Sequence, residues 1–386
     1  MPVTLRLGRI RLGASTTWLT IMVSPFSTQA IELPLHYRVG ATRTQQRSTL
    51  RQQHGRQSMR FGFIGTEGGH FYREFLEEVV RAEELGFDSA WLEEHHGVEN
   101  HYWPSPLMCL AGVATRTSKI VLGTDIIVLP FYHPVRVAED SVMLDIMSVG
   151  RFILGAAIGY KPDEFELYQQ ALRMRGARFS EALDLIRLLW TRESVTFEGE
   201  YYAVREARIE PRPSTPPPIW VGGWGNLSLR RAAGQGDAWI PGPTAGLEKL
   251  LDCQATYRGH LIASGKDPDQ APAPLTREVV IADTDAEAID LAERHLLVNY
   301  RDEYGGGWQH PLIGATDATP IDRLGALSTD RFIVGSPETC VRQIQRFADT
   351  FGMDHLICRL YFPGMSHEHI MRELELLANE VMPAFE

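Results

Sequence analysis

Cysteine is scarce in this chain and shows no pattern. Four stand among 386 residues, at positions 109, 253, 340 and 358, with no C-x-x-C pair. That excludes a disulfide framework and the paired-thiol zinc and redox motifs, and leaves reduced, mostly buried thiols in a cytoplasmic protein as the expectation. No apolar run in the sequence approaches the roughly 18 residues that a membrane-spanning helix needs. An excess of positive charge is missing as well. The formal net charge is -11, which argues against nucleic acid or an anionic membrane as the main partner. The G-x-G-x-x-G spacing of dinucleotide sites does not occur after any strand-like run. Residues 65–69, after the first such run, lack the His-x-His of a metal-dependent barrel hydrolase, so no metal site is expected.

Acidic charge is itself missing from one end. The first 58 residues hold eight arginines and a single acid, Glu32, a net of +7 that leaves -18 for the remainder. Their one apolar stretch, 18–23, is short and is followed by Ser and Pro, a poor signal peptide. The polar run 42–57 has no hydrophobic period. Residues 1–58 therefore read as a disordered extension or a mis-assigned start, dispensable to the fold.

From Met59 onward short apolar runs alternate with helical spacing. The pattern predicts strands at 60–65, 89–94, 120–129, 152–158, 219–221, 238–240, 278–282 and 355–361, with helices between them. A hairpin is expected over 195–204, and an irregular insertion at about 304–331. Strands joined through helices demand right-handed crossovers and a parallel sheet. The periodicity leaves both a closed barrel and an open doubly wound sheet standing.

Several segments carry candidate chemistry. Glu94-His95-His96 closes the second strand, at the carboxyl end where barrel enzymes place their sites. Successive strand residues point to opposite sides, so one of the two histidines faces a pocket, and adjacent histidines seldom chelate one ion. Two readings stand level here: a buried histidine bonded to a neighbouring strand, and a proton-transfer group. His133-Pro134-Val135-Arg136 opens a helix in which Arg136 and Asp140, at i and i+4, form an ordinary surface pair. Gly222-Gly223-Trp224-Gly225-Asn226 follows a strand and opens a helix. Its backbone N–H groups suit a phosphate, with Ser228 assisting, although a tight turn is the commoner use of such glycines. Gly335-Ser336-Pro337-Glu338 is the second choice for a phosphate; it reads more simply as N-cap, first helical position and acidic first turn.

Singly these signals are weak, but their order is informative. The segments are Trp91-Leu92-Glu93-Glu94-His95-His96, Leu122-Gly123-Thr124-Asp125-Ile126-Ile127, His133-Pro134-Val135-Arg136 and Val149-Gly150-Arg151-Phe152. Gly159-Tyr160 with Asp163-Glu164-Phe165, Pro218-Ile219-Trp220-Val221-Gly222-Gly223 and Val381-Met382-Pro383 complete the series. Together they resemble the bacterial-luciferase-like flavin-dependent monooxygenases over nearly all of residues 59–386. The resemblance implies a single (β/α)8 TIM barrel with loop insertions. It further implies reduced FMN delivered by a separate flavin reductase, dioxygen, a small and apolar organic substrate, and a homodimer. It makes His95 the active-site histidine. Asp125, Tyr160, Gly222, Gly223, Trp224 and Gly225 become cofactor contacts, and the Asp125–Ile126 peptide bond becomes cis. Two departures stand out: Ile158 replaces the luciferases' phosphate-binding arginine, and Trp224-Gly225 replaces their Glu-Ser. A deazaflavin-dependent oxidoreductase transferring hydride, from the same superfamily, is the alternative. A non-catalytic flavin-binding protein is the further one, against which the full set of strand–helix pairs argues.

Overall fold

A computed structural model of the chain describes residues 58–68, 71–99, 101–305, 324–325 and 330–386. All but the last residue of the expected extension, 1–58, and most of the expected insertion at 304–331 lie outside them.

The strands are β1 (Arg60–Ile64), β2 (Ser89–Leu92), β3 (Val121–Thr124), β4 (Ile127–Val128), β5 (Phe152–Ala157), the hairpin pair β6 (Val195–Glu198) and β7 (Ala203–Ala207), β8 (Ile219–Gly222), β9 (Ala238–Ile240), β10 (Pro274–Ile281), β11 (Ile333–Gly335) and β12 (His355–Arg359). The helices used below are α1 (Tyr72–Leu85), α2 (Pro106–Ala114), α3 (Pro134–Met147), α4 (Pro162–Leu167), α5 (Arg175–Thr191), α6 (Asn226–Gly234), α7 (Leu247–Ala263), α8 (Asp285–Leu291), α9 (Leu297–Gly305), α10 (Pro337–Phe351) and α11 (His367–Leu376). The main sheet is parallel, in the order β11-β10-β12-β1-β2-β3-β5-β8-β9, with β4 pairing β5 beyond the end of β3. It curls until the Thr276 amide in β10 donates to the Pro241 carbonyl just past β9, at 3.4 Å. Short strands packed on both faces explain the nearly continuous apolar runs of the sequence.

One apolar layer fills the space between sheet and helices. A second lies inside the curl, made by Ile64, Trp91, Trp220, Ala238, Ile240 and Ile357, with Ile126 and Ile153 against it. Trp91 and Trp220 stack with ring centroids 5.0 Å apart. The sequence makes room for them with glycine, since a Cβ on Gly123 would stand 2.2 Å from the Trp91 ring. Beneath the pair, Ser89 Oγ accepts the Trp91 indole N–H at 2.6 Å and meets His355 Nε2 at 2.8 Å. Burial holds His355 neutral by lowering its pKa well below the usual value.

Three expectations need correction. The run 120–129 is two strands, β3 and β4, broken at Asp125–Ile126; that bond is cis, as the family resemblance implies. The run 278–282 is the tail of a longer strand, β10, whose eight residues are all buried, Arg277 and Glu278 included. Strand β11, on the far side of β10, was not expected: three residues are too few to show a period. The four cysteines are free, three buried and Cys109 half-buried.

Val149, just after α3, holds φ at +58° with its side chain 75% exposed. A β-branched residue clashes with its own backbone in that conformation and gains nothing from burial here. Val149→Asn is expected to raise stability by about 1 kcal/mol, read as a higher urea midpoint; an unchanged or lower midpoint would remove the strain argument.

Candidate active site

Two adjacent histidines leave the end of β2 and enter separate networks. His95 Nδ1 lies 2.7 Å from Glu164 Oε1, on α4, and the same oxygen accepts the His96 backbone N–H at 2.9 Å. Burial alone would raise the Glu164 pKa, but the His95 contact and the His96 amide outweigh it and lower the net value. An ionised carboxylate only accepts, so His95 carries its proton on Nδ1 and turns Nε2 toward the Tyr160 hydroxyl at 3.1 Å. His96 does the opposite. Its Nε2 donates to Glu94 Oε1 at 2.8 Å, and its Nδ1 meets the Tyr168 hydroxyl at 3.1 Å. Glu94 has three donors, since it also accepts the Tyr132 hydroxyl at 2.6 Å and the Val128 amide at 2.7 Å.

The two histidines therefore differ in their surroundings. His96 is buried and bonded within the fold. His95, with 11% of its side chain exposed, has a fixed tautomer and an accepting nitrogen. That is the equipment of a proton-transfer group. Tyr160, expected among the cofactor contacts, stands beside His95.

Asp125 lies apart from this pair, half-buried, with Thr276 Oγ1 donating to its Oδ2. Burial pushes its carboxyl pKa up to about 7. Around it gathers a set of charges that sequence reasoning missed: Glu67 after β1, Glu93 after β2, Glu278 on β10 and Arg359 at the end of β12. Arg359 Nε is 2.6 Å from Glu93 Oε2, and its Nη1 is 3.7 Å from Glu278 Oε1. Tyr300 on α9 donates to Glu278 Oε1 at 2.7 Å. Burial raises the Glu278 pKa to about 7. One signal could have found them: a charge inside an otherwise apolar parallel strand, as at Arg277-Glu278 and Arg359, survives only with buried partners.

The glycine turn closes β8. Gly223 has φ +120°, and its carbonyl accepts the Trp239 indole N–H at 2.8 Å. No side chain caps α6, and a Cβ on its N-cap residue, Gly225, would meet nothing within 4 Å. Gly222 packs against Ile126, its added Cβ falling 3.5 Å from Ile126 Cγ2, so the turn and the cis bond adjoin. The open, uncapped helix start is compatible with an anionic group. Trp224 does not replace the family's polar pair: its ring packs on Trp239, centroids 5.7 Å apart. Ile158 is a half-buried member of the apolar packing.

The second phosphate candidate is filled. Asp285 Oδ1 accepts both the Ser336 amide, at 2.7 Å, and its hydroxyl, at 2.8 Å. A carboxylate thus occupies the anion position, and Ser336 is an N-cap whose side chain does not cap. A cavity of about 410 Å³ lies beside it, lined by Asp285, Phe332, Val334, Thr339 and Arg346 among others, with none of the expected site residues. His133 is an N-cap, accepting the Val135 amide at 3.3 Å. Arg136 and Asp140 pair at 3.5 Å on the surface. Among the described residues no helix is long and apolar enough to cross a membrane, and no cluster of three or more His, Cys, Asp or Glu is placed to hold a metal.

Gly223→Val is expected to weaken binding of a phosphate-bearing coenzyme by about tenfold or more, the equivalent of one charge-assisted hydrogen bond. Its Cβ would stand 2.8 Å from Ser228 Cβ, at a φ that a β-branched residue resists. A fluorescence titration reads the effect; unchanged affinity in a folded variant would move the phosphate elsewhere.

Comparison with known proteins bears on this geometry. The family model described as luciferase-like monooxygenase matches residues 49–355. The F420-dependent glucose-6-phosphate dehydrogenase of Intrasporangium calvum is 36% identical over 328 residues, 81% of this chain and 94% of its own. Among solved structures, the monooxygenase RslO1 from Streptomyces bottropensis has a TM-score of 0.75 at 25% identity, covering 85% of this chain and 100% of that one. An F420-dependent secondary alcohol dehydrogenase in complex with an F420–acetone adduct has a TM-score of 0.71 at 18% identity, covering 85% and 99%; at that identity it speaks for the fold alone.

Proposed function

From the premise that this chain is an oxidoreductase belonging to the luciferase-like monooxygenase family, we propose that it is a deazaflavin-dependent dehydrogenase acting on a hydroxyl-bearing small molecule. The observation that carries this reading is likeness over most of the chain to curated relatives named for F420, at 36% identity in one case. It displaces reduced FMN with dioxygen as first choice. The monooxygenase reading keeps one specific support, the fold and 25% identity shared with RslO1.

The open start of α6 is compatible with either cofactor's phosphate. The coenzyme supplies a hydride acceptor when bound. Gly222, Gly223 and Gly225 at the start of α6, with Asp125 and Ile126 adjoining, are the residues proposed to hold it. His95 Nε2 takes the proton of the substrate hydroxyl, and Glu164 at Nδ1 balances the imidazolium that results. The Thr276–Pro241 contact supports closure of the curled sheet into an eight-stranded barrel with this site at its carboxyl mouth.

Anaerobic titration with reduced F420 and with reduced FMN, followed by air, separates the readings. Tight binding of F420, with no reaction on admitting air, is the expected result. Tight FMN binding with a transient peroxyflavin absorbance would establish the monooxygenase instead.

A further inference from the structure

The buried charge cluster reaches His95 by a route that the proton-transfer role does not require. Arg359 is 2% exposed and comes from β12, the last strand. Besides its carboxylate partners it bonds two consecutive residues of the loop after β2. Its Nη2 donates to His101 Nε2 at 2.8 Å and to the Tyr102 hydroxyl at 3.1 Å. Tyr102 is in turn held against His95, the two rings T-shaped with centroids 4.5 Å apart.

Tyr102 occupies this place at a cost. Its φ is +63°, in the left-handed region, which a residue with a Cβ disfavours by about 1–2 kcal/mol. Such a conformation persists only where the surroundings over-determine it. They do here. His101 stacks on the Tyr102 ring at 3.7 Å, the Trp103 amide bonds the Glu93 carbonyl at 3.3 Å, and the Gly68 backbone leaves no room behind His101. A buried guanidinium is also expensive, and an apolar side chain would stabilise a strand end more cheaply. Both costs fall on one contact chain, Glu278 to Arg359 to Tyr102 to His95.

We infer that Arg359 is a positioning residue for His95, acting through Tyr102 to wall the imidazole into the orientation set by Glu164. This rests on the reading of His95 as the proton-transfer group, and its test has a readout that does not depend on any activity.

The molecule carries its own control. The His95–Glu164 and His96–Glu94 hydrogen bonds, 2.7 and 2.8 Å long, each give a low-field imidazole proton in the histidine-labelled full-length protein, assigned with His95→Ala and His96→Ala. Tyr102→Phe keeps the ring, and with it the Arg359 guanidinium 5.3 Å from its centroid, but removes the hydrogen bond from Arg359; Arg359→Lys keeps the charge and loses the fork. Each is expected to displace or broaden the His95 resonance and leave that of His96 in place. With a turnover assay in hand, kcat falls about 10- to 100-fold, as small misplacements of a reacting group do, and KM hardly moves. If Arg359→Lys does not fold, Tyr102→Phe decides alone. A His95 resonance unmoved in folded Tyr102→Phe overturns the inference, as does joint movement of both resonances, which marks general loosening. Absence of dehydrogenase activity with the His95 resonance displaced would count against the proposed function and leave the positioning role standing.

Discussion

His95→Ala is expected to lower turnover by about 100- to 10,000-fold, the usual contribution of a positioned acid–base group, while coenzyme affinity stays near that of the wild type. The geometry around the imidazole is compatible with the role. Glu164 fixes the tautomer, Nε2 faces a hydroxyl as an acceptor, and the phosphate candidate at Gly223 lies in the turn after another strand, β8. Glu164→Gln should fall between the variant and the wild type, because an amide can hold the ring but cannot balance its charge. The check is steady-state turnover beside a binding titration. Equal losses in both would make His95 a binding residue, and unchanged turnover would return it to the scaffold.

The largest effect on stability is expected at Trp91. Its side chain is fully buried, stacks on Trp220 and occupies space left by Gly123. Trp91→Ala removes the indole and leaves a cavity that short parallel strands cannot collapse into, a loss of about 3–5 kcal/mol. Domains are typically stable by only about 5–15 kcal/mol, so the variant should unfold at much lower denaturant or fail to accumulate. It also leaves the Ser89 hydroxyl without the indole donor. A loss below about 1 kcal/mol would mean that the inner layer is looser than a packed core.

Elements whose burial is purely apolar were legible to the residue: 238–240, 247–263 and 337–351 were expected where β9, α7 and α10 stand. The failures follow from charge and from distance. Arg277 interrupts the apolar pattern, so the periodicity starts this strand only at Glu278 and omits the first half of β10. The partners that make those charges tolerable, Tyr300 and Arg359, are remote in sequence. Alternation along a strand separated the two histidines, but not which carboxylate each would find. Glu94 is two residues from His96, whereas Glu164 is 69 residues from His95. The cis bond was expected from family likeness; nothing in the local residue types requires it.

The stacked indoles have a consequence for traffic. In the proposed closed barrel, Trp91, Trp220 and the Ser89–His355 bond would stopper the amino-terminal side and make the interior a blind well. Whatever binds there arrives and departs by one opening. Two ligands sharing such a well must queue: the one seated deeper enters first and leaves last, and release of the outer one clears the path for both.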